Sequence, residues 1–356
     1  MKPKVVVLKT EPNRVVKDYG ELLKKADFTK HISKEYETIL KINLSWSKYF
    51  PSCSTEPWQL DGVLNYMTKE KYKNIHPVEN KTVVTDVWKG AKGNKWLPIL
   101  KKYKLKYEPL TEVEWVDYKP KAEMLALNKV FHHSHKIPKM FIGKNVVHLP
   151  TIKTHGHTVI TGAMKNAFGG LITQRRHHCH KHIHEVLVDL LQIQKEIHKG
   201  IFAVMDGTVC GDGKGPRTMI PRIKDYILGS HDQVAIDAIS AKLMGFDPMR
   251  IKFIKKAHDL GLGCGDIDQI DIVGENISRV NFGFKTGKSA VIFGDQLMRN
   301  NSKAIEKILF HSPLFKMCVF GSEFYHDKLW YPTIGKGRIN KFNKTKWGKL
   351  FEKYES

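Results

Sequence analysis

Lys153, Thr154, His155, His157, Thr161, Lys165 and Asn166 fall within one stretch of fourteen residues. Two amines and an amide suit an anion, and an imidazole titrates near neutrality and can pass a proton. A lysine crowded by other cations gives up its proton more readily and can act as a base or nucleophile. The types and spacing therefore predict a site for a small anionic substrate, a carboxylate or a phosphate. Lys153 and Lys165 would hold the anion and Asn166 would orient it. His155 would transfer a proton, assisted by Asp206. The start of a helix at Thr161-Gly162 would add unpaired backbone N–H groups and a positive dipole end. A polar connection closed by Gly169 is the plainer reading of the same residues.

Two further groups could join this chemistry. Asp206-Gly207 follows an apolar run, and Gly211, Gly213 and Gly215 would let the backbone approach a ligand closely. Thr154, His157, Thr161, Gly162, Gly213, Gly215 and Asp237 are the expected ligand contacts, whereas Asp232 reads as a helix N-cap. The run His177-His-Cys-His-Lys-His-Ile-His184 holds five imidazoles and a thiol. On a helix His180 and His184 would share a face, a spacing that suits zinc or another divalent metal. The loop Gly261-Leu-Gly-Cys-Gly265 lacks the spacing of a dinucleotide fingerprint.

These residues need a scaffold, and the patterning supplies one. Val5–Leu8, Glu37–Ile42, Thr82–Val87, Leu110–Val116, residues 145–149, Ile201–Met205, Asp225–Leu228 and Ile270–Val273 read as strands. Val15–Ala26, Pro57–Met67, Lys95–Tyr103, residues 183–197, His231–Met244 and Met249–His258 read as helices. This alternation predicts an α/β fold, a mostly parallel sheet with helices on both faces in Rossmann-like layering. The organisation expected is an N-terminal α/β half (1–125), a motif-bearing half of the same domain (126–299) and a basic, aromatic-containing extension (300–356). That extension carries 11 basic and 5 acidic residues, net +6. It suits either a basic docking helix or an ordinary terminal helix, and the latter is favoured.

Composition bounds the rest. The chain has 356 residues and a net charge of +23, with 41% hydrophobic residues, which excludes a disordered chain. Basic charge raises the alternative of a nucleic-acid- or protein-binding module. Yet only nine of the 59 basic residues are Arg, and lysines are spread along the chain, so a field that steers small anions is the preferred reading. No apolar run is long enough to span a bilayer, and the N-terminal run is too short for a secretory signal. Five scattered cysteines contain no Cys-x-x-Cys pair, which predicts a cytoplasmic protein with no self-contained iron–sulfur cluster. A metal-dependent protein using the His177–His184 cluster is a third expectation. Substrate, cofactor and oligomeric state are not specified by these patterns.

Pro150-Thr-Ile-Lys-Thr-His and Thr161-Gly-Ala-Met-Lys-Asn-Ala-Phe-Gly together resemble the signature of the domain-of-unknown-function 362 family. Asp206-Gly207, Gly213-Lys-Gly215-Pro216 and Ser230-His-Asp232-Gln-Val-Ala-Ile-Asp237 follow in the family's order. Leu40-Lys-Ile42-Asn-Leu44 is similar to its Lys-Pro-Asn strand, with Ile42 where Pro is usual. The likeness runs over roughly residues 36–275. It implies that Lys153, His155, Lys165, Asn166, Asp206 and Asp237 belong to one site, and it brings no accepted mechanism. Many members carry a ferredoxin-like iron–sulfur module, to which nothing in this sequence corresponds.

Overall fold

Successive residues of a strand point to opposite faces of its sheet, so adjacent apolar residues must find separate cores. The computed structural model describes residues 2–82, 84–132, 135–172, 176–289, 291, 293–294 and 314–355. Its strands are β1 (Lys4–Lys9), β2 (Thr38–Lys41), β3 (Ile75–Glu79), β4 (Glu108–Pro109), β5 (Trp115–Asp117) and β6 (Lys136–Pro138). They continue as β7 (Asn145–His148), β8 (Thr151–His155), β9 (Val159–Ile160), β10 (Ile201–Lys214), β11 (Thr218–Ser230) and β12 (Asp271–Gly274). The main sheet runs β12-β1-β11-β10-β7-β2-β3-β4, with β8 beside β10 and β9 beside β8. Along that run β11 is antiparallel to β1 and β10, and the other neighbours are parallel. β5 and β6 form a separate antiparallel pair. Strands from the 1–125 half and the 126–299 half thus share one sheet.

The helices are α1 (Val15–Lys25), α2 (Phe28–His31), α3 (Pro57–Lys69), α4 (Val87–Gly93) and α5 (Trp96–Lys102). α6 (Leu127–Phe131), α7 (Ala163–Leu171), α8 (Ile183–Ile197), α9 (Gln233–Met244) and α10 (Lys252–Asp259) follow. Val5, Val7, Ile39, Val146, Ala203 and Met205 pack with residues of α7–α10, including Met164, Leu187, Ile236 and Phe253. Their neighbours Val6, Leu40, Val147, Phe202 and Val204 pack with Tyr19, Leu22, Trp58, Leu64 and Ile99 of α1, α3 and α5. The strict alternation makes three layers, helices over and under one sheet, as the sequence predicts. α9 shows why its limits fall where they do. Asp232 caps it by accepting from the Val234 and Ala235 amides, and Gly245 ends it at φ 98°.

Several elements depart from the sequence reading. Among its described residues Thr82–Val87 holds no strand. Thr82 and Thr85 tie a turn through their hydroxyls, and Asp86 caps α4. The strand there is β3, whose Pro77 disguises it. Leu110–Val116 is likewise mostly turn, between β4 and β5. Ile201–Met205 does not end at Asp206. It continues to Lys214 and pairs with β11 as a long hairpin, so Asp225–Leu228 is one part of β11. Glycine made that continuation look like a loop, but at Gly207 and Gly211 a Cβ would strike Ile152 and Met219 packed against the strand. The segment holding Lys153, Thr154 and His155 is no connection either. It is β8, parallel to β10.

The C-terminal part contains the helix Phe315–Glu323, a π-helical stretch Phe324–Gly335, and the helices Lys336–Asn343 and Lys346–Lys353. Trp347 packs at 5.0 Å between ring centroids from Trp58 and donates to Asp225 at 2.7 Å. Phe351 stacks on Tyr49 at 3.6 Å. The last helix is therefore built into the α1–α3 core, while residues 300–313 of the expected extension lie outside the described residues.

Candidate functional site

Parallel strands β2 and β3 end side by side, and their carboxyl ends bring Lys41 and Glu79 together. Such ends are where open α/β sheets form ligand crevices. Lys41, 1% exposed, donates to Glu79 at 2.8 Å and to the Ile42 carbonyl at 2.6 Å. Glu79 also accepts the Asn80 and Leu44 amides at 2.7 Å each. Both charges are thus paired and hydrogen-bonded, which a buried ion pair requires to be tolerated. Burial lowers the Lys41 pKa, and Glu79 works against that.

Helix α7 lies across these strand ends. Its first amides, Ala163 and Met164, donate to the Asp237 carboxylate at 2.6 and 3.1 Å. The helix start expected to receive an anionic ligand is therefore already occupied by the protein's own carboxylate. Gly162 permits this, with φ 151° and no room for a Cβ beside Asp237. Burial pushes the Asp237 pKa up to about 8, against the two amide bonds. At the other end of α7, Arg176 donates to the Gly169 and Ile172 carbonyls at 2.7 and 3.2 Å.

The Lys165 flank of α7, the ends of β2 and β3, the tip of the β10–β11 hairpin and residues 315–326 of the C-terminal part line a cleft of about 450 Å³. Lys165, Asn166, His155, His157, His180 and Gly215 line it, so these predicted residues do converge. Lys41, Asn43, Glu79, Arg176, Lys214 and Arg217 line it as well. Of this second set, Asn43 and Lys41 lay within the matched Leu40–Leu44 motif, which was the available signal. Glu79 was hidden by the misplaced third strand, and Arg176 offered no pattern.

Charge in the cleft is unbalanced. Lys41, Lys165, Arg176, Lys214 and Arg217 line it, and Glu79 is the one carboxylate lining it among the described residues. Among the described residues Lys165 makes no hydrogen bond or ion pair. Its amine lies 5.3 Å from the Phe168 ring centroid. Burial, then Lys153 and Arg176, lower its pKa to about 7. Lys153 stands behind the wall, 1% exposed, donating to Asn43 at 2.7 Å and Thr151 at 2.6 Å. Both partners are neutral, and burial lowers its pKa to about 8. Asn166 donates to the Lys41 carbonyl at 3.0 Å, and its Oδ1 is buried with no partner among the described residues. His155 is held neutral, by burial first and then by Lys165. Its Nδ1 accepts the His157 amide at 3.1 Å, so Nε2 carries the proton.

Other predicted residues sit elsewhere. Asp206 faces the α1–α3 layer, because Met205 takes the opposite one. It accepts from Tyr19 at 2.6 Å, Trp58 at 2.9 Å and Thr208 at 2.8 Å. Burial pushes its pKa up, opposed by those bonds. Thr154 donates to the Gly213 carbonyl at 2.9 Å, and Thr161 to the Thr151 and Lys153 carbonyls. These bonds, with the Gly215 backbone pressed on Thr154, join β8 to the hairpin. Thr154, Thr161, Gly162, Gly213, Asp206 and Asp237 thus build the walls without lining the cleft. Arg176–His182 forms a 3-10 helix, so the α-helical spacing expected of His180 and His184 does not run through it. His180 stacks on His157 at 4.7 Å and His184 on Phe253 at 6.0 Å. Among the described residues no group of three or more His, Cys, Asp or Glu is placed to hold a metal ion.

Comparison with known proteins gives a family and little beyond it. Residues 38–242 match the family described as Domain of unknown function (DUF362). A thylakoid-associated protein of Synechocystis sp. is 23% identical over 175 residues, 48% of this chain and 52% of that protein. The chain therefore matches about half the length of this curated relative. A crystal structure of a protein from Thermotoga maritima aligns with 10% identity and a TM-score of 0.42, over 74% of this chain and 61% of that one.

Proposed function

The chain belongs to the DUF362 family, and we propose that its cleft binds a small anionic substrate, a carboxylate or a phosphate, and acts on it by acid–base chemistry. One observation carries this reading: Lys165 lines a cation-rich cleft and has no hydrogen-bonding or ionic partner among the described residues. A protein gains nothing in stability by gathering like charges, so their arrangement favours a ligand that offsets them. Arg176 and Lys165 would hold the anion. Asn166, which lines the cleft and whose buried Oδ1 has no partner among the described residues, would orient the substrate. Lys165, protonated once the anion is bound, could donate a proton to the substrate, and the neutral His155 could orient it by a hydrogen bond from Nε2–H. Asp206 has no part in this scheme, since its oxygens are engaged in the opposite layer.

Titration calorimetry with malonate and with sulfate tests the proposal. The wild type should bind one anion per chain, and Lys165→Met should weaken binding about 100- to 1000-fold near neutral pH, the worth of a charge about 4 Å from the anion. Equal affinities with an unchanged melting temperature would remove Lys165 from the site and overturn the reading.

A further inference from the structure

The helix Phe315–Glu323 has two apolar faces. Phe315, Val319 and Ser322 lie on one side and line the cleft. Met317, Phe320 and Phe324 lie on the other side at helical spacing, 69%, 68% and 48% exposed. Leu329 and Ile334 extend the exposed apolar surface along the continuing helix. A helix with apolar side chains on two opposite sides belongs between two apolar phases, and among the described residues only one of them is supplied by this fold. The flanking charge is one-sided. Lys316, Lys328, Lys336 and Lys341 are exposed, while Asp327 is turned inward to accept from Trp46 at 2.6 Å, leaving Glu323 as the exposed acid of the stretch.

We propose that this outer face seats the protein on an anionic lipid bilayer, with Met317, Phe320 and Phe324 entering the headgroup region and the lysines meeting lipid phosphates. Large protruding apolar side chains bordered by lysine are the composition that lies in such an interface. The chain's net charge of +23 would draw it to a negative surface from a distance. Attachment would be peripheral. Among the described residues no helix is long and apolar enough to cross a membrane. The inference stands apart from the chemistry of the cleft, although it would place one wall of the cleft at the lipid surface.

Co-sedimentation of the full chain with vesicles tests it. Vesicles of phosphatidylcholine mixed with phosphatidylglycerol should carry the protein down, and phosphatidylcholine alone should do so far less. The double variant Phe320→Glu, Phe324→Glu should lower the partition coefficient about tenfold or more. Its melting temperature and sulfate affinity should stay at wild-type values, which separates lost docking from lost folding or a lost cleft. No sedimentation of the wild type with the mixed vesicles, or equal sedimentation of the variant, would overturn the proposal. A concentration-dependent dimer that forms without lipid and is abolished by the two substitutions would assign the face to a second copy of the chain, and so overturn it too.

Discussion

Anion affinity at the cleft should fall as pH rises past neutrality, and the structure sets the slope. Lys165 titrates at about 7 rather than at its ordinary 10.5, because the site buries it among other cations. An anionic charge about 4 Å from the amine contributes roughly 4 kcal/mol at an effective dielectric constant of about 20. That equals about three pKa units, which would return the amine in the complex to about 10. Between about pH 7 and pH 10 each binding event should therefore take up close to one proton, and Kd should rise about tenfold per pH unit. Lys153, at about 8 and behind the wall, should steepen the upper part of the curve. The assay is calorimetric titration with sulfate, whose charge is constant over this range, in two buffers of different ionisation enthalpy. The difference in apparent heat reads the proton count directly. Lys165→Met should flatten the profile and converge on the wild type at high pH. A wild-type Kd that stays level from about pH 7 to pH 9, or binding with no proton uptake, would refute the reasoning.

The same lysine has a stability signature of opposite direction. Its pKa is lower folded than unfolded, so the unfolded chain binds the extra proton between about 7 and 10.5. Wild-type stability should rise with pH through that window, and Lys165→Met should stabilise the empty protein below it by on the order of 2 kcal/mol, after allowance for water in the cleft. Urea melts at both ends of the window check this. Asp206→Ala should cost about 2–5 kcal/mol, because the Tyr19 hydroxyl and Trp58 indole lose a buried acceptor, yet leave sulfate affinity unchanged. A normal melting temperature with lost binding would return Asp206 to the site. Trp347→Ala should lower stability by about 3 kcal/mol or more, read by thermal melting, since its ring and indole N–H both seal the core beside Trp58.

The layered fold was legible because helical stripes and apolar strands survive in one-dimensional form. The site was legible only where its residues share one segment. Lys165, Asn166, His155 and His157 announced themselves by density, and they do meet. Asp206 looked like their partner because an apolar run preceding an acid suggests a strand's end. The strand runs on for eight more residues, from Asp206 to Lys214, and the two-residue period sends that carboxylate to the other layer. Glu79 was missed for the converse reason, since Pro77 makes a buried strand read as a loop. Asp237 shows a further limit. Its position inside a helix was plain, but that it caps a different helix follows only from how α7 and α9 pack.

That capping bears on selectivity. A loop whose backbone amides cradle a phosphate fixes the oxygens of its guest and reads tetrahedral shape. Here Asp237 and Arg176 have neutralised both ends of α7, so recognition falls to side chains on flexible stems. The Lys165 ammonium is a point charge that follows its guest, tolerant of planar and tetrahedral oxyanions alike, and the Arg176 fork is already oriented by the Gly169 and Ile172 carbonyls. Discrimination among anions of equal charge should then rest on the volume of the chamber rather than on the geometry of the headgroup.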